Sequence, residues 1–205
     1  MLLAIDTANK YLSLALSTPN GDFYFSSNQA NLQLEIISQE VDLLCKESGF
    51  SISNLTEVVV NRGIGSFNGI RVGVSYAIGL SSFSSISLKT ITTHDILYHG
   101  GVLKGNLKLG TDYKIITKGD GLNKFCVGRF SSESMSIEDF ENLELSDIDG
   151  KFIVADSDIA DSFTSNAFEN VVYVKKNSPE FLLMAAKNSA VMDPVVNAFY
   201  FRGFL

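Results

Sequence analysis

Between Leu2 and Ser27 three short stretches, LLAIDT, YLSLALST and DFYFSS, run apolar or alternate apolar with polar, which is the period of a strand. PNGD, Pro19 to Asp22, carries tight-turn residues between the second and the third, so the pattern predicts a three-stranded antiparallel meander. The period then changes. From residue 32 to 48, Leu34, Ile37, Val41 and Leu44 recur at helical spacing, Ile36 and Leu43 widen the apolar face, and Gly49 stands where a helix C-cap needs it. TEVVVN reads as a buried strand, residues 68–83 as a second helix and ISLKT as a further strand.

The order βββαβαβ is the one used by ribonuclease-H-like domains, including the actin and sugar-kinase ATPase superfamily, and predicts an α/β fold of that kind. In the second half, strands are expected at YKIITK, NKFCVGRF, KFIVA and NVVYVK and helices near 91–99 and 179–191, in a sheet order that the pattern does not reveal. Ser131 to Gly150 holds seven acidic residues and reads as a solvated excursion. No internal repeat is visible. The cluster HGGVLKGN marks a boundary near residue 100, giving a first domain over 1–100 and a smaller, reduced α/β domain over 101–205 whose last segment packs back on the first.

At 205 residues, 45% hydrophobic and 19% charged, the chain has the composition of a soluble globular protein with a sizeable core. Its longest apolar runs, such as FLLMAA, fall well short of a bilayer span, and MLLAIDT lacks the basic start of a signal segment, so a cytoplasmic location is expected. The net charge of −7 is shared between the halves, with 5 basic and 8 acidic residues over 1–100 and 11 and 15 over 101–205. Phosphate neutralisation drives most nucleic-acid binding, so a chain this acidic is a poor stand-alone RNA binder; any RNA chemistry it serves needs a partner to hold the RNA. Cys45 and Cys126 show no metal spacing and read as incidental thiols.

NRGIGSFNGIRVG, Asn61 to Gly73, is the densest chemical signal. A Walker P-loop fails because Gly69 is followed by Ile70 and Arg71 instead of Lys and Ser or Thr. A dinucleotide fingerprint fails because Gly63, Gly65 and Gly69 are spaced one residue too wide. A nucleophile elbow around Ser66 needs glycines where Ile64 and Asn68 stand. What survives is a strand, a sharp turn at Gly63 and Gly65, and a helix capped by Ser66 or Asn68. Along that helix Gly69, Gly73, Ala77 and Ser81 form a stripe of small residues beside an apolar ridge of Ile70, Val74 and Ile78. Such a stripe lets another element approach closely, either from the same chain or from a partner subunit.

LLAIDTA, NRGIGSFNGIRVGVSYAIGL and the late NAFYFRG together resemble the bacterial TsaB (YeaZ) family, the dimerisation subunit of the tRNA threonylcarbamoyladenosine complex. Arg62, Gly63, Gly65, Ser66, Phe67, Gly69, Arg71 and Gly73 match the family's central motif, and Glu35 matches the glutamate of its His-Ser-Glu segment. The likeness is good over residues 1–90 and thin beyond. Asn61 and Ile64 stand for the family's Gly and Pro, Asn68 for its Thr, and Gln33-Leu34 for its His-Ser. The resemblance implies an actin-like fold of two small α/β domains that has lost its own catalysis and uses no cofactor or metal. It further implies a heterodimer with the TsaD transferase through the first two helices, joined by the TsaE ATPase, with tRNA met only indirectly and no membrane contact.

On that reading the partner surface comprises Leu34, Glu35, Ile37, Val41 and Leu44 of the first helix with Gly69, Ile70, Gly73, Val74 and Ala77 of the second. Arg62, Gly63, Gly65, Ser66, Phe67 and Arg71 form the motif turn. A homodimer through the same helices is the alternative assembly. The alternative function is an autonomous nucleotide hydrolase or glycoprotease-type enzyme using Asp6, which matches the superfamily's phosphate-hairpin aspartate, and Ser66. No second phosphate hairpin accompanies Asp6; GDGLNKF is the nearest phrase, in the wrong order. His94 and His99, five apart, do not share a helix face as a metal pair must, and read as a helix-cap residue and a surface histidine.

Overall fold

Pro19 and Asn20 form the two-residue connection of a hairpin, with Gly21 at φ 134 directly after them. Around it the computed structural model, which describes residues 1–82, 85–107, 111–119, 124–131, 136–148, 153–162 and 171–192, folds the chain start as β1 (Leu2–Asp6), β2 (Ser13–Thr18) and β3 (Gly21–Ser26), an antiparallel meander. Then follow α1 (Gln33–Glu47), β4 (Glu57–Asn61), α2 (Phe67–Ser82) and β5 (Ser87–Ile91). Both β4 and β5 run parallel to their inner neighbours. A late strand β11 (Val191–Met192) pairs with β5, so the sheet order is β11-β5-β4-β1-β2-β3.

Leu3, Ala4 and Ile5 in β1 and Val58, Val59 and Val60 in β4 are all fully buried, which only a sheet covered on both faces allows. One face carries α1 and α2; the other carries α4 (Pro179–Ser189), which buries Leu182, Leu183, Ala185 and Ala186. α1 ends in a Schellman arrangement: Gly49, at φ 80, donates its N–H to Lys46 and Phe50 donates to Cys45, so the last carbonyls are satisfied where glycine was expected to cap. The buried stripe of α1 is Gln33, Ile37, Val41, Leu44 and Cys45. This corrects the expected face: Leu34 is 69% exposed and Leu43 47%, one residue step away from the stripe that meets the sheet.

The remaining strands are β6 (Tyr113–Lys118), β7 (Lys124–Ser131), β8 (Ser136–Glu144), β9 (Ile153–Asp156) and β10 (Val171–Val174), preceded by α3 (Thr93–Leu103). β6, β7 and β8 form an antiparallel meander, β9 lies parallel to β6 and β10 parallel to β9, in the order β10-β9-β6-β7-β8. This is the order β5-β4-β1-β2-β3 again, a topological repeat that the sequence does not display. The acidic segment expected to be a solvated excursion supplies β8 and a 3-10 turn at Leu145–Asp147. Ile116, Phe125, Val127, Ile148, Ala155 and Ile159 make the core on one side of this sheet. Among the described residues, Met1–Thr93 groups with 177–192, and His94–Lys176 forms a second unit. NAFYFRG and most of GDGLNKF lie outside the described residues.

Candidate functional site

The glycine stretch closes on its own chain. A Cβ on Gly65 would stand 2.2 Å from the Ala8 carbonyl oxygen, one on Gly69 2.1 Å from the Thr7 carbonyl oxygen, and one on Gly73 2.2 Å from Thr7 Oγ1. Backbone that near tolerates no side chain, so the small stripe exists to let the β1–β2 turn reach α2. Ile37, Val41, Leu44, Gly69, Ile70, Gly73, Val74 and Ala77, all expected at the partner surface, are buried within this chain. Gly69 and Gly73 meet the β1–β2 turn, and the apolar members pack inward because the apolar stripe of an amphipathic helix packs on its own core first. Of the expected surface only Leu34 and Glu35 face solvent.

The turn from β4 to α2 is held by hydrogen bonds. Gly63, at φ 126 and followed by a cis peptide to Ile64, donates its N–H to Asn61 Oδ1 at 3.0 Å. Its carbonyl accepts from Thr93 N at 2.7 Å, while Thr93 Oγ1 donates to the Ile64 carbonyl at 2.6 Å. Ser66 is the N-cap, its Oγ accepting from Gly69 N at 3.3 Å and its N–H donating to the Ala8 carbonyl at 2.7 Å. Arg71 lies 5.4 Å from the Phe67 ring centroid, and both side chains are exposed.

Asp6 is fully buried, and its carboxylate accepts from Ala8 N at 2.9 Å, Asn9 Nδ2 at 2.5 Å and Asn61 Nδ2 at 2.9 Å. Asn61 also donates to Thr93 Oγ1 at 3.0 Å. The residue that departs from the motif's usual glycine is thus the joint between β1, the β4 turn and the start of α3. Gln33, the other departure, is buried and donates from Nε2 to the Asn9 carbonyl at 2.6 Å. Pattern reading passed over both because a polar residue in a buried position leaves no hydropathy signal.

On the solvent side of α1 and α2 a groove of about 860 Å³ is lined by Leu34, Ser38, Arg71, Val72, Ser75 and Tyr76, among others. Burial holds the Tyr76 phenol above its ordinary range, against a hydrogen bond with Ser38 that acts the other way and bridges the helices. The groove joins an exposed leucine and the half-buried Val72 and Tyr76 to a mainly polar rim that includes Glu35, Ser38, Asn68, Arg71 and Ser75.

Both histidines and both cysteines are internal. His94 is fully buried, its Nε2 3.3 Å from the Cys126 carbonyl oxygen, and desolvation lowers its pKa to about 4. His99, expected at the surface, is 8% exposed with its ring edge-on to Tyr98, and burial likewise lowers it to about 4. Both Cys45 and Cys126 are free and buried, and burial raises both thiols. Lys176 bridges the buried Asp156 and, at 3.3 Å, Asp158. Among the described residues no group of three or more His, Cys, Asp or Glu is placed to hold a metal ion, and no helix is long and apolar enough to cross a membrane.

The chain has an actin-like, ribonuclease-H-like α/β fold. Two structures from Pseudomonas aeruginosa share the fold: an uncharacterized protein with similarity to peptidase YeaZ, with TM-score 0.75, 15% identity and coverage of 98% of this chain and 99% of that one, and YeaZ itself, with TM-score 0.75, 16% identity and coverage of 93% and 94%. In sequence, the chain is 30% identical over 95 residues to the tRNA threonylcarbamoyladenosine biosynthesis protein TsaB of Escherichia coli K12, a stretch that spans 45% of this chain and 40% of that protein's length. No family model matches. The chain is thus similar to TsaB over part of its length and shares its fold with the YeaZ structures.

Proposed function

We propose that this protein is a non-catalytic subunit of tRNA threonylcarbamoyladenosine biosynthesis that binds and supports a TsaD-type transferase through the outer surface of α1 and α2. The observation that carries this reading is the division of labour in the first unit. Asp6, the carboxylate on which a superfamily nucleotide site depends, is spent on Ala8, Asn9 and Asn61, while the two helices leave an open groove with Leu34 at its edge. The similarity to TsaB over 95 residues supports the pathway. The acidic balance of the chain supports a role in which the partner, not this subunit, holds the RNA. A TsaE-type ATPase completes the assembly.

The docking surface is redrawn relative to the sequence expectation: Leu34, Glu35, Arg71, Val72 and Tyr76 in place of the buried stripe. Burying this patch would contribute about 25 cal/mol per Å² before the costs of association. Reconstitution of the tRNA modification with cognate transferase and ATPase, with and without this chain, tests the role. Activity that depends on the chain is the expected result. Modification that proceeds equally without it, or nucleotide turnover by the isolated chain that is lost in Asp6→Asn, overturns the reading.

A further inference from the structure

The turn from Asp6 to Asn9 is hydrogen-bonded to the N-terminal ends of both groove helices. Thr7 Oγ1 donates to the Gly69 carbonyl at 2.7 Å and the Ala8 carbonyl accepts from Ser66 N, so the turn grips the start of α2 twice. The next carbonyl, that of Asn9, accepts from Gln33 Nε2 in the first turn of α1. Asp6 fixes the shape of the turn through Ala8 N and Asn9 Nδ2 and is itself held from β4 by Asn61. Thr7, Ala8, Asn9 and Gln33 are all buried, so these bonds do not compete with water. Above them the groove is open, and Gln33 and Gly69 belong to its floor.

We propose that the β1–β2 turn is a clamp that sets the spacing of the α1 and α2 N-termini, with Gln33 and Asn9 as positioning residues for the surface between them. The aspartate that the superfamily places at a phosphate hairpin serves here to rigidify a protein-binding groove. That the groove is a docking surface rests on the function proposed above; the clamp itself does not. Glycine at 65, 69 and 73 is required because a clamp residue must touch helix backbone, and Gln33 is required because only a donor at that position reaches the Asn9 carbonyl.

The test uses the full chain and two readouts, amide hydrogen exchange and affinity for the transferase. Gln33→Leu keeps volume and removes the donor. It should speed exchange of the Ile37 to Val41 amides about tenfold, the effect of one buried hydrogen bond, leave the Leu182 to Ala186 amides of α4 unchanged, and weaken transferase binding by a similar factor. Gln33→His, whose ring N–H can still donate, should restore both readouts. Should leucine at this position prevent folding, Gln33→Ala, which adds no bulk, gives the same comparison. Unchanged exchange in α1, equal acceleration in α1 and α4, or no rescue by histidine overturns the clamp. If folded wild-type chain fails to bind the transferase, the docking reading fails, and the exchange pattern still decides the clamp.

Discussion

Both sheets weave their strands in one order, yet the connections that cross them differ. Between β3 and β4 lies the 15-residue α1, and between β4 and β5 the 16-residue α2. At the corresponding places in the second sheet the described residues form only 3-10 segments, Leu145–Asp147 and Ser157–Ser162. Residues 145–152, all that separate β8 from β9, are too few for a helix of α1's length. The polar hub differs as well. In the first unit register places Asp6 on β1 opposite Asn61 on β4; in the second the equivalent positions hold Thr117 on β6 and Asp156 on β9, and Asp156 pairs with the Lys176 ammonium besides accepting from Asp158 N at 3.1 Å. Between β8 and β9 the sheet therefore does without a helix of α1's length, and among the described residues Leu145, Ile148 and Ile159 pack on that core.

That comparison can be broken most severely at Gly73. Gly73→Leu drives a side chain into Thr7 Oγ1 and should cost the first unit more than about 3 kcal/mol, seen as loss of the cooperative thermal transition by circular dichroism. Lys176→Met tests the second hub: it strands the buried Asp156 carboxylate and should cost about 3 kcal/mol, with hydrogen exchange rising in β9 and β10 and not in β1 or β4. Acid separates the units next, since both histidines lie in α3. His94 and His99 have folded-state pKa values lowered from 6.5 to about 4, so the fold binds fewer protons than the unfolded chain. Their contribution is complete above pH 6.5 and is lost as pH falls towards 4. At pH 5 His94 alone should withdraw about 2 kcal/mol, and the amides of α3 and β7 should lose protection before those of β1. His94→Gln should blunt that loss. The smallest effect is a gain: Gly79, where a Cβ meets nothing within 4 Å, should stabilise α2 by about 0.5 to 1 kcal/mol on Gly79→Ala, read as a higher melting temperature.

Much of the first unit was legible. Helical spacing of Ile37, Val41 and Leu44 and the cap at Gly49 located α1 closely, and the glycine spacing excluded phosphate loops before any coordinates. The orientation of that information was harder to read. A periodic stripe says that a helix has a buried face, not whether its own sheet or another subunit covers it, and here the sheet takes Ile70, Val74 and Ala77. Gln33 and Asn61 were visible only as departures from a motif, because their burial depends on hydrogen-bond partners distant in the chain. In the second half the strands showed in YKIITK and NKFCVGRF, while β8 hid in an acidic, half-solvated run whose apolar positions, Ile137, Phe140 and Leu143, recur every third residue instead of every second. His99 was misplaced at the surface because a single residue on a short helix carries no facing information.

The central claim, that the chain acts through the outer surface of α1 and α2, is tested most directly by measuring calorimetric affinity for the TsaD-type transferase in the wild-type chain and in Leu34→Asp. Leu34 is 69% exposed, so the substitution leaves the fold and the melting temperature unchanged. The account predicts a stable wild-type complex and a loss of at least about a hundredfold in affinity on replacing the exposed apolar side chain at the groove with a charge. A wild-type chain that is folded and does not bind, or a Leu34→Asp chain that binds as tightly as wild type, would contradict it.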